Sequence, residues 1–166
     1  MTKLSICIPT YNRRDELINC LNSIYIAHKK FKKFDFDICI SDNGSNYRIL
    51  NTITYFKKKF KKKIKIKFNK FKSNQGVSKN FLKIISMSKS DFIWAIGDDD
   101  LILPITFKKI DKIFEENTDV EFFFINSYNL NSNYLKKYPS PFDTKFLPKN
   151  MTPFSKKRGS KKMDFF

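Results

Sequence analysis

Three adjacent aspartates, Asp98, Asp99 and Asp100, follow an apolar run in the segment WAIGDDDLILP. Neighbouring carboxylates repel one another, and a turn or helix cap requires at most one of them. Carboxylate oxygens are preferred ligands of Mg²⁺ and Mn²⁺, and Mg²⁺ usually takes one or two protein carboxylates together with substrate phosphates. In an extended turn Asp98 and Asp100 can project to the same side. The pattern therefore predicts a divalent-cation site, with a solvated acidic turn as the alternative.

Polar, turn-forming segments occur at three other places in the chain. Tyr11 offers a flat surface for stacking, and Asp42 can accept a hydrogen bond from the N–H edge of a base. Gly76 begins a predicted helix, where backbone N–H groups favour negative ligands. Ordinary turns and helix caps are the alternative interpretation. The segments are PTYNR (Pro9, Thr10, Tyr11, Asn12), SDNGS (Asp42) and NQGVSKN (Asn74, Gly76, Asn80).

Short apolar runs alternate with segments of helical periodicity, which predicts an α/β fold. Connections too long for hairpins favour right-handed crossovers and a mostly parallel sheet flanked by helices. Ligands bind beyond the carboxyl ends of strands in such sheets, and the four polar segments each follow a predicted strand. The predicted strands are Leu4–Ile8, Phe36–Ile40, Ile64–Phe68, Phe92–Ile96 and Val120–Ile125, and the predicted helices are 13–28, 46–60, 76–87 and 105–116.

Three local patterns give sharper expectations. Pro9 lacks a backbone N–H and is expected to end the first strand. The run IKIKF in 64–68 alternates with period two, which predicts a third strand with one exposed face. Val77, Phe81, Leu82 and Ile85 share a helical stripe and are expected to face the core.

Composition excludes several classes of protein. The chain has 166 residues, of which 41% are hydrophobic and 16% aromatic, so it can bury a core and is not disordered. It has no apolar run of about 18 residues and no signal-peptide pattern at its N-terminus, which favours a cytoplasmic protein. Cys7, Cys20 and Cys39 lack metal-ligand spacing and are expected to be small buried residues.

The charge balance is strongly basic, with 33 Lys+Arg against 16 Asp+Glu and a formal net charge of +17. Such a field attracts phosphates, although charge runs are usually solvated surfaces. The densest run, Lys57–Lys72, interleaves Phe and Ile with Lys, a pattern compatible with peripheral contact between this run and an anionic membrane surface. A non-catalytic basic module for nucleic acid or membrane is the alternative function. The chain has no aromatic-rich nucleic-acid motif, so nucleic acid is not expected as a partner.

The segments SICIPTYNR, ISDNGSN, NQGVSKNF and IWAIGDDD resemble, in order and spacing, the family-2 glycosyltransferases of the GT-A fold. WAIGDDD is particularly similar to bacterial abequosyltransferase-like enzymes of surface polysaccharide synthesis. The resemblance covers roughly residues 3–126. It implies a Rossmann-like GT-A sheet and transfer of a sugar, with inversion, from a nucleotide-diphosphate donor to an acceptor hydroxyl. The products would be lipopolysaccharide, O-antigen or capsule.

The resemblance also implies a role for each quoted residue. Asp42 would contact the base, and Asp98 would face the ribose with Asp99 beside the donor. Asp100, together with Asp98, would hold Mn²⁺ or Mg²⁺. Lys79 stands where an Arg is common in the family. The remaining donor-binding positions would be Pro9, Thr10, Tyr11 and Asn12 in the first loop and Asn74, Gly76 and Asn80 in the third.

The predicted domains are a nucleotide-sugar-binding domain at 1–126 and an irregular, partly disordered basic tail at 127–166. The family pattern includes a carboxylate base that deprotonates the acceptor. Asp143 in PSPFDTKF is the candidate, with Glu121 and Asp164 as the other acids after Val120. The short tail predicts a truncated acceptor region, and inactivity of this donor-binding half on its own is one expectation. The sequence does not identify the nucleotide and sugar of the donor. It also does not identify the acceptor, whether that acceptor is lipid-linked, or the oligomeric state.

Overall fold

The structure, a computed structural model, describes residues 3–61, 63–126 and 162–164. Strands and helices alternate along the chain, as the periodicity predicts. The strands are β1 Leu4–Thr10, β2 Phe36–Asp42, β3 Ile66–Lys70, β4 Phe92–Ala95, β5 Phe124–Asn126 and β6 Lys162–Asp164. The helices are α1 Arg14–Lys30, α2 Leu50–Lys59, α3 Val77–Ser86 and α4 Thr106–Glu116.

The first four strands form one parallel sheet in the order β3-β2-β1-β4. The two central strands pair along their whole length, from Leu4 opposite Phe36 to Thr10 opposite Asp42. Every side chain of β2 is buried, as expected for a strand covered on both faces. The prediction of a mostly parallel sheet flanked by helices is confirmed, and its parallel strands bring four carboxyl ends to one edge.

One face of the sheet is covered by α3, which packs on β1 and β2. Ile84 of this helix contacts Cys7 and Cys39, which lie opposite each other on the two central strands. Both cysteines and Cys20 of α1 are free thiols and fully buried, which confirms the prediction made for them. On the other face Ile6, Ile8, Ile38 and Ile40 are fully buried.

The chain divides into two compact units. The first contains Met1–Leu21 and Asp35–Leu101, and so holds the four-stranded sheet with α2 and α3. The second contains Asn22–Phe34 and the chain from Ile102 onward. Within the second unit Phe34 stacks on Phe107 with ring centroids 5.1 Å apart.

The fifth predicted strand, Val120–Ile125, is displaced. The observed β5 begins at Phe124 and forms a separate two-stranded parallel sheet with β6, in which Phe124 pairs with Lys162. It is not a member of the four-stranded sheet. β6 itself lies within 127–166, the region for which an irregular tail is predicted.

The expectation that Pro9 ends the first strand is wrong, since β1 continues through Pro9 to Thr10. The backbone oxygens of Lys3 and Cys7 accept hydrogen bonds from Phe92 and Ile96, so odd-numbered residues of β1 turn their backbone polar groups toward β4. The β1–β4 pairing ends at Cys7. The nitrogen of Pro9 therefore points to a side where no ladder bond is required.

The expected core stripe of the third helix is wrong for Val77, Phe81 and Leu82, which are exposed, whereas Ile85 packs against the core of Cys7, Cys39 and Ile84. Val77 and Leu82 are 82% and 68% exposed, while Asn80 and Ile84 are the buried residues of α3. On β3 the predicted exposed face is only partly exposed, because Lys67 lies with its ammonium nitrogen 2.7 Å from a carboxylate oxygen of buried Asp37. Periodicity located both elements but not the groups that cover them.

Candidate functional site

The candidate site lies in the first unit, where β1, β2, β3 and β4 end at the same edge of the sheet. The residues that the sequence predicts for donor binding lie at the ends of these strands, in the loops that follow them and in the first turn of α3. Four of those residues are buried, namely Thr10, Asp42, Asn80 and Asp98, and Pro9 is partly buried. The others are exposed, namely Tyr11, Asn12, Asn74, Gly76, Asp99 and Asp100.

Asp42 ends β2 and is completely buried. One carboxylate oxygen accepts hydrogen bonds from the backbone N–H and the hydroxyl of Ser45. The other lies 3.4 Å from the ammonium nitrogen of Lys70, which ends the neighbouring strand β3. Lys70 also donates to the backbone oxygens of Ser45 and Tyr47. A buried carboxylate is thus held in place by a cation and by its own loop.

Asn43 links the loop after β2 to the loop after β3. Its side-chain oxygen accepts from the backbone N–H of Gln75 at 2.8 Å, and its amide nitrogen donates to the side chain of Asn74 and the backbone of Gly76. Gly44 lies against the backbone of Ser73, so closely that a Cβ at Gly44 would be 2.5 Å from the carbonyl carbon. The two loops therefore form one packed layer.

The loop after β1 joins the same layer through Asn12. The backbone N–H of Asn12 donates to the hydroxyl of Ser45, and the side-chain oxygen of Asn12 accepts from the backbone N–H of Asn46. Asn12 has a φ of 54°, a left-handed conformation that asparagine tolerates better than most residues. Its side chain thus serves contact between loops, while Tyr11 beside it is left exposed.

The three aspartates form a tight turn directly after β4. The backbone N–H of Asp100 donates to the backbone oxygen of Gly97, and the backbone N–H of Gly97 donates to the carboxylate of Asp100 at 2.6 Å. Arg13 extends to the same turn from the end of the first loop. One of its nitrogens lies 2.6 Å from Asp99 and 3.4 Å from Asp98.

Asp98 is buried, whereas Asp99 and Asp100 are exposed. Burial raises the pKa of Asp98 above its ordinary value, while the Thr10 hydroxyl and the Arg13 charge act in the opposite direction. Burial, followed by the charges of the three aspartates, raises the pKa of the Cys20 thiol well above its usual range. All three carboxylates are therefore close enough to the same thiol to act on it.

Several buried oxygens at this edge have no hydrogen-bond partner among the described residues. They are the second carboxylate oxygen of Asp42, the hydroxyls of Thr10 and Tyr47, and the side-chain oxygen of Asn80. The Thr10 hydroxyl lies near both the Tyr47 hydroxyl and the carboxylate of Asp98, but no aligned hydrogen bond joins it to either. Buried polar groups in proteins are nearly always satisfied, so four such oxygens near one sheet edge are suited to a polar ligand.

The acidic turn fits a divalent cation that takes most of its ligands from elsewhere. Asp98 and Asp100 offer hard carboxylate oxygens, the chemistry that Mg²⁺ and Mn²⁺ prefer. Within the described part of the chain, no three or more His, Cys, Asp or Glu side chains are grouped to hold a metal. Two protein carboxylates with substrate phosphates and water are the usual arrangement for Mg²⁺.

Sequence reasoning missed four residues of this edge, namely Arg13, Asn43, Tyr47 and Lys70, as donor-site residues. Lys70 ends β3 opposite Asp42, a pairing that the register of the two strands sets and that no local sequence pattern indicates. The quoted PTYNR motif already contained Arg13. Asp143, the candidate base, and most of the predicted tail lie outside the described residues. None of the helices in the described ranges has the length and apolar character needed to cross a membrane.

Comparison with known proteins gives a consistent result. The family model for glycosyl transferase family 2 matches residues 5–164. Abequosyltransferase RfbV of Salmonella typhimurium is 32% identical over 117 residues, which are 70% of this chain and 34% of that enzyme. A poly(ribitol-phosphate) beta-glucosyltransferase of Bacillus spizizenii is 29% identical over 100 residues, 60% of this chain and 15% of that protein.

Solved structures share the architecture. A crystal structure of Staphylococcus aureus TarS 1–349 in complex with UDP superposes with a TM-score of 0.64 at 23% identity, and the match covers 78% of this chain and 37% of that chain. A mannosyltransferase from Pyrobaculum calidifontis in complex with GDP-Man and Mn²⁺ gives a TM-score of 0.57 at 13% identity, over 68% and 32% of the two chains. This chain spans about a third of the length of abequosyltransferase RfbV.

Proposed function

This chain belongs to glycosyl transferase family 2, and from that premise we propose that it transfers a sugar from a nucleotide-diphosphate donor to an acceptor hydroxyl in surface polysaccharide synthesis. Its parallel sheet has the GT-A fold that the sequence resemblance implies. The relatives named for abequosyl and poly(ribitol-phosphate) transfer act in polysaccharide biosynthesis, which supports the same setting here.

The observation that carries the proposal is the set of unsatisfied buried oxygens beside the acidic turn. Asp42 presents one buried carboxylate oxygen without a hydrogen bond, which suits the N–H edge of a nucleobase. Tyr11 is exposed in the neighbouring loop and offers a ring for stacking. We assign the other donor contacts to Pro9, Thr10 and Asn12 in the first loop and to Asn74, Gly76 and Asn80 in the third.

We propose that Asp98 and Asp100 hold Mn²⁺ or Mg²⁺, with Asp99 beside the donor. The bound ion supplies positive charge that stabilises the leaving diphosphate. Asp98 is suited to this role, because a buried carboxylate with a raised pKa gains from a cation more than an exposed one does. Arg13 already places one positive charge against Asp98 and Asp99.

The acceptor side of the proposal rests on the family alone. The acceptor hydroxyl must lose a proton as it attacks the sugar, and Asp143 is our candidate for the base. We propose inversion at the sugar and a cytoplasmic location, where nucleotide sugars are available. Because this chain spans about a third of the length of abequosyltransferase RfbV, activity of the chain by itself is part of what must be tested.

Calorimetry with UDP, GDP, CDP and dTDP, each with and without Mn²⁺, tests the donor site directly. We expect one diphosphate to bind in a Mn²⁺-dependent manner, and we expect Asp100→Ala to remove the Mn²⁺ dependence. Asp91→Ala is the matched control, since Asp91 is an exposed acid at the other end of β4. The proposal fails if no diphosphate binds, or if both variants behave alike.

Transfer itself needs a separate measurement. The purified chain is incubated with radiolabelled nucleotide sugars and with saccharide or lipid-linked acceptors, and product is separated by chromatography. Asp143→Asn should abolish any transfer while leaving diphosphate binding unchanged. Transfer that survives this substitution excludes Asp143 as the base, and binding without transfer by the intact sequence identifies a donor-binding unit.

A further inference from the structure

A long acid-free stretch runs through the middle of the chain. Between Asp42 and Asp91 lie 48 residues with no Asp or Glu, and these contain Arg48 and thirteen lysines. The whole chain has 16 acidic residues, so their absence from this stretch concentrates positive charge on α2, β3 and α3. Two of these cations are paired to buried carboxylates, Lys67 to Asp37 and Lys70 to Asp42.

The densest part of the stretch covers the end of α2 and its connection to β3. Lys57, Lys58, Lys61, Lys63 and Lys65 are all exposed, and none of them forms an ion pair with a residue that the structure describes. We call these five residues the lysine surface. Burial of Ile53, Phe56, Phe60 and Ile64 on the other side of the same segment fixes its backbone against the unit. The charges therefore project from an ordered surface.

Local structural roles account for few of these lysines. One or two cations in the last turn suffice to complement a helix dipole, and Lys59 additionally lies 5.4 Å from the ring centroid of Tyr55. The connection after the helix needs no lysine at 61, 63 or 65. Like charges at such spacing repel one another, and a bound polyanion offsets that repulsion.

The composition of the lysine surface indicates which polyanion fits. Lysine is a compact point charge, whereas arginine supplies the bidentate fork that reads single phosphates, and the acid-free stretch has thirteen lysines and one arginine. Point charges suit diffuse attraction to a layer of headgroups. Tyr55 is 56% exposed on α2, two residues before Lys57, and such a side chain can contact the interfacial region of a bilayer.

We propose that the lysine surface docks this protein onto an anionic lipid bilayer. Because α2 begins near the carboxyl edge of the sheet and leads back to the start of β3, the lysine surface lies at the opposite edge from the candidate donor site. Docking there leaves the donor site open to solvent. The inference rests on charge and exposure and does not depend on glycosyl transfer.

Vesicle sedimentation tests the proposal with the full chain. We expect binding to vesicles of 30% phosphatidylglycerol in phosphatidylcholine, little binding to pure phosphatidylcholine, and release as NaCl rises from 50 to 500 mM. The triple substitution Lys57→Gln, Lys58→Gln, Lys61→Gln should weaken partitioning by about 100-fold, since each lysine near an anionic surface contributes about fivefold. The substituted residues are exposed, so unfolding is not expected, and circular dichroism checks it.

The matched control removes the same charge elsewhere, with Lys89→Gln, Lys108→Gln and Lys112→Gln, three exposed lysines that lie before β4 and on α4. This control should weaken partitioning by less than about tenfold. Equal losses of vesicle binding in the two triple variants would show that binding depends on net charge and not on the lysine surface, which would overturn the proposal. The absence of vesicle binding at 50 mM NaCl would overturn it too. A 20-base-pair DNA duplex that binds more tightly than vesicles at equal phosphate concentration would identify nucleic acid as the partner instead. Mn²⁺-dependent diphosphate binding should be unchanged in both triple variants, which separates this test from that of the donor site.

Discussion

Asp98 is a buried carboxylate, and burial disfavours its charged form. Its pKa is raised by burial, so the folded state holds the proton more tightly than the unfolded state does. The stabilising contribution of the protonated acid is therefore present at low pH and is lost as pH rises through the folded pKa. At neutral pH the buried charge disfavours folding, which is a common property of residues kept for binding.

Substitution of Asp98 by Asn should expose this trade-off. We expect Asp98→Asn to raise the free energy of unfolding at pH 7.5 by on the order of 1 kcal/mol and to change it less at pH 5. Mn²⁺-dependent diphosphate binding should be lost in the same variant. Urea denaturation at the two pH values measures the stability, and a variant that is less stable at pH 7.5 would contradict the argument.

Gly44 and Gly76 allow the cost of backbone strain to be separated from the cost of steric contact made by an added Cβ. Both have positive φ, 84° and 83°. A Cβ at Gly44 would meet the Ser73 backbone, whereas a Cβ at Gly76 would have nothing within 4 Å. Gly76, with a ψ of 162°, lies in a region of backbone conformation that is essentially restricted to glycine. We expect Gly76→Ala to cost about 2 kcal/mol and Gly44→Ala at least about 2 kcal/mol more, measured by urea denaturation. Equal losses would show that the close approach of the two loops is relaxed easily.

At the scale of elements, β2 and β3 are joined by a buried charge pair as well as by their ladder. Asp37 accepts a hydrogen bond from the Ser5 hydroxyl with one oxygen and pairs with Lys67 through the other. The side chain of Asp37 is only 4% exposed and that of Lys67 19%. The pair thus replaces apolar contact on one face of the sheet, and each partner depends on the other.

Removal of one partner should therefore cost more than removal of both. We expect Lys67→Met to lower the free energy of unfolding by about 3 kcal/mol, because it leaves a buried carboxylate without its cation. The double substitution Lys67→Met, Asp37→Leu should recover most of that loss. Thermal and urea denaturation of the three variants form the measurement, and additive losses would contradict the pairing.

The sequence predicted the elements better than their orientation. Alternation of apolar runs and helical segments was sufficient for the parallel sheet, because covered strands and crossover helices differ in period. The four loops at the carboxyl edge follow from that topology. Periodicity places Val77, Phe81, Leu82 and Ile85 of α3 in the core, and of these four Ile85 packs there, because periodicity detects apolar residues but not what covers them. Asn80 is buried there instead, in the first turn of a helix that begins at the donor-site edge.

Residues that act across the sheet were hardest to find. Lys70 approaches Asp42 from another strand, 28 positions away in sequence, so no local pattern indicates the pairing. Arg13 pairs with Asp98 and Asp99 over an even longer separation. The register of β2 and β3 is what makes the first of these contacts visible, and the register follows from the structure alone.

At the scale of the whole molecule, positive charge is unevenly distributed. The 48 residues between Asp42 and Asp91 hold 14 of the 33 cationic residues and none of the acids. Self-repulsion of such a segment disfavours the compact state, and dissolved salt screens it.

Salt should therefore stabilise this protein. We expect the melting temperature to rise by about 3 °C between 20 and 500 mM NaCl, since roughly 1 kcal/mol corresponds to a few degrees in a domain of this size. The Lys57→Gln, Lys58→Gln, Lys61→Gln variant should show a smaller rise. Differential scanning calorimetry measures both, and a melting temperature that falls with salt would mean that attractive pairs dominate.

The bond network of Asn43 has a consequence for redesign. Its side chain forms hydrogen bonds with the backbone of Gln75 and Gly76, and Gly44 packs closely against the backbone of Ser73. The segments after the second and third strands are therefore complementary in shape. A chimaera that takes only one of these segments from a relative with another sugar-nucleotide preference would lose the hydrogen bonds and the packing between the two segments. Exchange of donor preference should succeed only when both segments are transplanted together.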